Sequence, residues 1–163
     1  MAKITVTLTP ESIDAAIEEV RRYKRKLYDR TSEIIKDLVD EGVEIAKNQL
    51  RELGAVYTGD LEASITGYFD EETGVGIIKT DSPYAICVEF GTGIVGEGSP
   101  HPAPEGWEYD INGHGEKGWW YFNERDQKWH WTKGIESRPF MYNTFLELQR
   151  LAKDEAKVVF KRD

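Results

Sequence analysis

The chain has 163 residues, enough for one domain with its own core, and 39% hydrophobic with 31% charged residues is the balance of a folded protein, not a disordered one. A net charge of −9 argues against a surface built to grip nucleic-acid phosphates. No apolar run approaches the ~18 residues needed to cross a bilayer, and the alternating N-terminus is a poor signal peptide, so a cytoplasmic site of synthesis is expected. Residues 4–8 alternate, with Ile4, Val6 and Leu8 on one side, and predict a short strand. Thr9-Pro10-Glu11 then opens a helix: Thr9 caps, Pro10 suits the first turn and Glu11 favours its positive end.

The helical pattern is long. Ile13, Ile17, Val20, Leu27, Ile34, Leu38, Ala46, Leu50 and Leu53 recur at steps of three and four or their sums, until Gly54. Unbroken, it spans about 65 Å at ~1.5 Å per residue, against about 40 Å for a compact domain of this length. Either it bends, most naturally at Tyr28-Asp29-Arg30-Thr31-Ser32 where new caps are available, or it projects and packs on a neighbour. Both outcomes leave apolar surface to bury.

Thr58-Gly59-Asp60 predicts a capped turn that orients a hairpin of residues 63–69 and 74–80, closed by Asp70-Glu71-Glu72-Thr73. Ser82-Pro83 starts a short helix with Tyr84, Cys87 and Val88 on one face, and Gly91 and Gly93 leave it through positive φ. The single cysteine, Cys87, reads as a buried small hydrophobe. Residues 92–118 are rich in Gly and Pro and read as a long loop that is either functional or ordered by a partner. Trp119-Trp120-Tyr121-Phe122 and Trp129-His130-Trp131 form a further hairpin, and a last helix follows Ser137-Arg138-Pro139 with Met141, Phe145, Leu148, Leu151, Ala152 and Val159 as its stripe.

The sum is one α+β domain: an antiparallel β-sheet with long N-terminal helices and a C-terminal helix packed on one face. Its parts are residues 1–54 (strand and helices), 55–93 (hairpin and short helix), 94–136 (Gly/Pro loop and aromatic hairpin) and 137–163 (C-terminal helix).

Candidate chemistry is thin. Asp110, Asn112 and Gly115 imitate a calcium loop, but His114 and Tyr121 stand where oxygen ligands belong. His101, His114, His130 and Cys87 lack zinc-site spacing. The carboxylates a metal-dependent nuclease would need, Asp60, Asp81, Glu89, Asp110 and Glu116, are scattered over loops. No catalytic residue, metal or cofactor is therefore expected. Glu89 either points outward or pairs with a cation, for which Arg138 is the candidate.

The aromatics are more informative. All five tryptophans lie between residues 107 and 131. On a strand, Trp119 and Tyr121 share one face, Trp120 and Phe122 the other, so the hairpin is apolar on both sides. It either folds into the core or docks on another subunit. Trp119, Trp120, Tyr121, Trp129 and Trp131, with Glu89 and Arg138, are the expected interface residues. A basic groove for stacking exposed bases does not accompany them.

Three segments in order, Tyr57-Thr58-Gly59-Asp60-Leu61-Glu62-Ala63-Ser64-Ile65, Tyr84-Ala85-Ile86-Cys87-Val88-Glu89-Phe90-Gly91-Thr92-Gly93 and Ser137-Arg138-Pro139-Phe140-Met141, resemble the tail-component family of lambdoid and related long-tailed bacteriophages, the gene-product-ten-like family, and the insert Gly113-His114-Gly115-Glu116-Lys117-Gly118-Trp119-Trp120-Tyr121 resembles a recurrent variant of it. The resemblance covers residues from about 30 to 163. It implies a structural virion subunit at the head–tail junction, without enzyme activity or cofactor, completing the tail or joining it to the head. It further implies a homo-oligomeric ring of about six copies that meets head-closure, tail-terminator or tail-tube proteins. DNA would pass nearby without specific binding, and an acidic wall suits such a channel. Alternatives are a tail terminator capping the tube, a metal-dependent DNA-processing enzyme using His114, and an adaptor or toxin-like module.

Overall fold

The computed structural model describes residue 7, residues 9–123 and residues 125–160, with only the backbone of Val159 and Phe160. The strand expected at residues 4–8 lies outside these, Thr7 excepted, and so does the Val159 side chain.

Helix α1 (Pro10–Glu52) runs without interruption. Thr9 caps it as its composition suggests, its side chain accepting from Ser12 N. The expected bend at Tyr28–Ser32 is absent. Thr31 Oγ1 donates back to Leu27 O at 2.8 Å within the helix, which satisfies the hydroxyl without a break. A short helix α2 (Asp60–Ala63) occupies what the pattern assigned to the turn and the start of a strand. The strands β1 (Ile65–Asp70) and β2 (Val75–Thr80) pair antiparallel from Ile65↔Thr80 to Asp70↔Val75. Asp70 Oδ1 accepts from Glu72 N at 2.9 Å and closes their turn.

Helix α3 (Ala85–Phe90) follows and ends at Gly91, whose φ is 81°. Its buried face carries Ala85 and Glu89, while Tyr84 is exposed, so the expected Tyr84–Cys87–Val88 face is rotated. Cys87 is half-buried, and burial pushes its thiol pKa up. Residues 92–118 are not structureless: they contain helix α4 (Gly93–Gly98), which starts on Gly93 at φ 61°, and a 3-10 turn at Gly115–Lys117. The segment is ordered by its own chain. Gly93 N donates to Tyr109 O at 2.6 Å and Trp107 Nε1 to Gly91 O at 3.0 Å. The strands β3 (Trp119–Asn123) and β4 (Lys128–Thr132) then form a second two-stranded sheet, separate from the first. Helix α5 (Phe140–Phe160) ends the described chain.

The fold is α+β: a long N-terminal helix, two small antiparallel sheets and a C-terminal helix packed against them. The core is small and lies between α1, α2, β1, α3 and the start of α5: Ala46, Leu50, Leu61, Ile65, Ala85 and Phe140. Each of the three motifs carrying the sequence resemblance supplies it, through Leu61 and Ile65, Ala85, and Phe140. Full burial of Phe140 contributes roughly 1.5–3 kcal/mol. On α5 the expected stripe shifts: Phe145 is exposed, and Thr144 is buried with its hydroxyl donating to Phe140 O.

Candidate functional site

The β3–β4 hairpin builds the most conspicuous surface in the molecule. Aromatic residues favour extended backbone, and the turn is fixed by its polar side chains. Asn123 Oδ1 accepts from Arg125 N at 3.0 Å and Asp126 Oδ1 from Lys128 N at 3.2 Å, with Gln127 at φ 57°. Gly118 and Gly134 sit at the base, where a Cβ would collide with the Thr132 and Thr92 carbonyls, and Thr92 and Ile135 bridge the base to α4. At the turn, Asn123 Nδ2 donates to Tyr57 Oη and Arg125 Nη1 to Tyr57 O, both at 3.0 Å.

The register places Trp120 opposite Trp131 and Phe122 opposite Trp129. These four rings share one face and form two edge-to-face pairs, each with centroids 5.5 Å apart. They remain 59%, 48%, 42% and 63% exposed for Trp120, Trp131, Phe122 and Trp129 respectively. On the opposite face Trp119 is half-buried and stacks on His114 at 4.8 Å, while Tyr121, stacked on its cross-strand partner His130 at 5.7 Å, stays 44% exposed. Phe122 was missing from the expected interface set. Its signal was the strand alternation that puts it beside Trp120.

Glu89 is corrected in both respects. It is not at a surface but 7% exposed, and its partner is not Arg138. Glu89 Oε2 accepts from Met141 N at 2.9 Å, and Oε1 from Tyr142 N at 2.8 Å, so the carboxylate caps α5 from α3. His101, 4% exposed, brings Nε2 to 3.2 Å from Glu89 Oε1 and holds Nδ1 3.0 Å from Ala103 N. Arg138 instead donates through Nη1 to Gly54 O and through Nη2 to Glu136 Oε1, and its backbone N donates to Val88 O. A Glu–His couple invites a catalytic reading, but both carboxylate oxygens and both ring nitrogens are engaged inside the fold. This cluster fastens three elements together.

The other expected positions are local. Gly59 takes φ 87°, and Thr58 Oγ1 accepts from Asp60 N and donates to Asp60 Oδ2 at 2.7 Å, a closed turn before α2. The calcium-like segment folds on itself. Asp110 Oδ2 accepts from Gly115 N at 2.5 Å and Oδ1 from His114 N at 2.8 Å. Those bonds, Gly115 first, hold its pKa below the ordinary 3.8. Among the described residues no three His, Cys, Asp or Glu side chains are grouped to hold a metal ion. No described helix is long and apolar enough to cross a membrane.

A second uncovered surface lies on α1. The turn of the first hairpin reaches it at Tyr28, whose hydroxyl donates to Glu71 O at 3.0 Å, and at Lys36, which pairs with Glu71 at 2.9 Å. From residue 10 to residue 27 nothing is buried, a projection of about 27 Å at ~1.5 Å per residue.

Residues 18–91 match the sequence model of a family described as "Bacteriophage HK97-gp10, putative tail-component". The match runs from the projecting part of α1 to Gly91, beginning earlier than the motif resemblance and stopping before α4, the aromatic hairpin and α5. No curated protein and no solved structure matches the chain.

Proposed function

We propose that this chain, related to bacteriophage tail components across residues 18–91, is a structural subunit of the head–tail junction that completes the tail or joins it to the head. In this reading copies form a closed ring through which DNA passes, and the subunit acts by contact rather than by chemistry.

The observation that carries the reading is the aromatic face of β3–β4. Four large rings on a two-stranded ribbon, all exposed, stand on a base anchored to α4 and a tip anchored to Tyr57. Exposed apolar patches of this kind mark interaction surfaces, and aromatic rings held by cross-strand partners lose little entropy on docking. The occupant in this reading is a neighbouring subunit of the junction. An aromatic patch on one chain and a different receiving surface on the next is the heterologous contact that a ring needs. The acidic chain suits the lining of a DNA channel, which should not retain phosphates.

The test is complementation. Tails assembled without this protein are mixed with purified chain and filled heads, and joining is scored by electron microscopy. The wild-type chain should bind tail ends and permit joining, and a Trp120→Ser, Trp131→Ser double variant should do neither while remaining folded. A wild-type chain that associates with neither tails nor heads overturns the reading.

A further inference from the structure

We infer that the aromatic face of β3–β4 docks on a second copy of the same chain, at the ridge that Pro100 and Pro102 form just after α4. The inference rests on the reading above, in which copies form a ring, and it names the receiving surface.

The ridge is held outward by its own fold. In Ser99-Pro100-His101-Pro102-Ala103-Pro104 prolines alternate with other residues. Pro100 and Pro102 are exposed, while His101 between them is 4% exposed. His101 is tied inward twice: Nε2 lies 3.2 Å from Glu89 Oε1, and the backbone N donates to Tyr109 Oη at 3.2 Å. The two proline rings therefore stand on an anchored backbone whose φ they already fix. Such rings are apolar, carry no amide hydrogen and lose little entropy on docking, which is why aromatic-lined surfaces take them. The ladder of Trp120, Trp131, Phe122 and Trp129 is a surface of that kind, and its rings are held by cross-strand partners.

Charge favours the same pairing. Residues 95–116 contain no Lys or Arg. Glu97 and Glu105, on either side of the ridge in sequence, are exposed and form no ion pair among the described residues. Lys133, at the base of the ladder, is exposed and equally unpaired. Its stem lies on the open aromatic side: a Cβ at Gly118 would stand 3.0 Å from Trp131 Cζ2 and 3.1 Å from Lys133 Cγ. A ladder on a ridge thus brings rings to rings and a free cation toward free acids. Two ladders face to face would close as a pair and leave no such surface for a third copy, whereas ladder on ridge repeats from copy to copy.

The experiment is sedimentation velocity of the full chain, without heads or tails, from micromolar to millimolar concentration. The wild-type chain should associate. Pro100→Ser with Pro102→Ser, Trp120→Ser with Trp131→Ser, and Lys133→Glu should each weaken association by about tenfold or more, with unchanged helix content by circular dichroism. Mixed together, the proline and tryptophan variants should form a one-to-one complex at concentrations where each alone is monomeric, because one keeps its ladder and the other its ridge. If the proline variant loses its fold, Glu97→Lys with Glu105→Lys replaces it in the same mixture with the same expected result. A wild-type chain that stays monomeric, association indifferent to the ridge substitutions, or a mixture that forms no complex each overturns the proposal. Tail joining that fails with the tryptophan variant and survives with the ridge variant also overturns it, and leaves the proposed function standing.

Discussion

Glu89 holds the backbone amide of Tyr142 at 2.8 Å, a bond between residues fifty-three positions apart that ties α3 to the first turn of α5. A helix begins with amides that have no partner within it. Arg138 and Pro139, just before α5, bring no side chain suited to capping, and a carboxylate from another helix takes that role. Glu89→Gln keeps the shape but removes the negative charge from the helix terminus and should destabilise the fold by about 1–2 kcal/mol. Glu89→Ala leaves the Met141 and Tyr142 amides and His101 without their acceptor and should cost about 3 kcal/mol or more. Urea denaturation of both variants measures the difference.

Close approach of the first hairpin to α1 depends on glycine. A Cβ at Gly67 would stand 2.6 Å from Val39 Cγ1, and one at Gly76 2.8 Å from Ile35 Cγ2. Gly67→Ala and Gly76→Ala should therefore each destabilise by about 1–3 kcal/mol, as overpacked sites do. Gly74→Ala meets no neighbour but forces a side chain into φ 71°, and its cost should be that of backbone strain alone, about 1 kcal/mol. Pairing Gly67→Ala with Val39→Ala should recover part of the loss, which thermal unfolding of the double variant checks.

The aromatic ladder should be nearly neutral for stability. Trp120→Ser or Trp129→Ser removes one edge-to-face pair from an exposed ribbon and should cost less than about 1 kcal/mol by denaturation. Trp119→Ser should cost more, because that ring stacks on His114 and lies against Gly93. A large loss from Trp129→Ser would place the exposed face in the folding core instead.

Acid should loosen the turns first. Asp110 has its pKa lowered by the Gly115 and His114 amides, and Asp70 by the Thr73 side chain and then the Glu72 and Thr73 amides. A carboxylate with a depressed folded pKa stabilises fully above its ordinary value of 3.8 and loses that contribution as pH falls through the folded value. Unfolding midpoints should thus hold at neutral pH and fall below about pH 4. Asp110→Asn should lower the neutral-pH midpoint and flatten the acid fall, as a thermal series from pH 2 to pH 7 would register.

Local signals carried much of the architecture. The Thr9-Pro10 start of α1, the Asp70–Thr73 turn, the aromatic hairpin and the glycine exit at Gly91 all follow from rules acting over a few residues. The same reasoning failed at Tyr28–Ser32. Residues that could cap a new helix do not do so when the existing helix already satisfies them, as Thr31 shows. The aromatic alternation pointed to a two-faced hairpin, yet only the neighbours decided that Trp119 is half-buried against His114 while Trp120, Trp129 and Trp131 stay open.

The amino-acid sequence by itself determined the α+β class, the period of each element and the presence of more apolar surface than one small core hides, because these depend on spacing along the chain. Tertiary structure alone decided what Glu89 does, where α1 loses its cover and which tryptophans face outward. Those outcomes depend on distances between residues far apart in the chain. The hydrogen bond from Tyr142 to Glu89 and the arrival of Glu71 beside Tyr28 exist only once the chain has closed on itself.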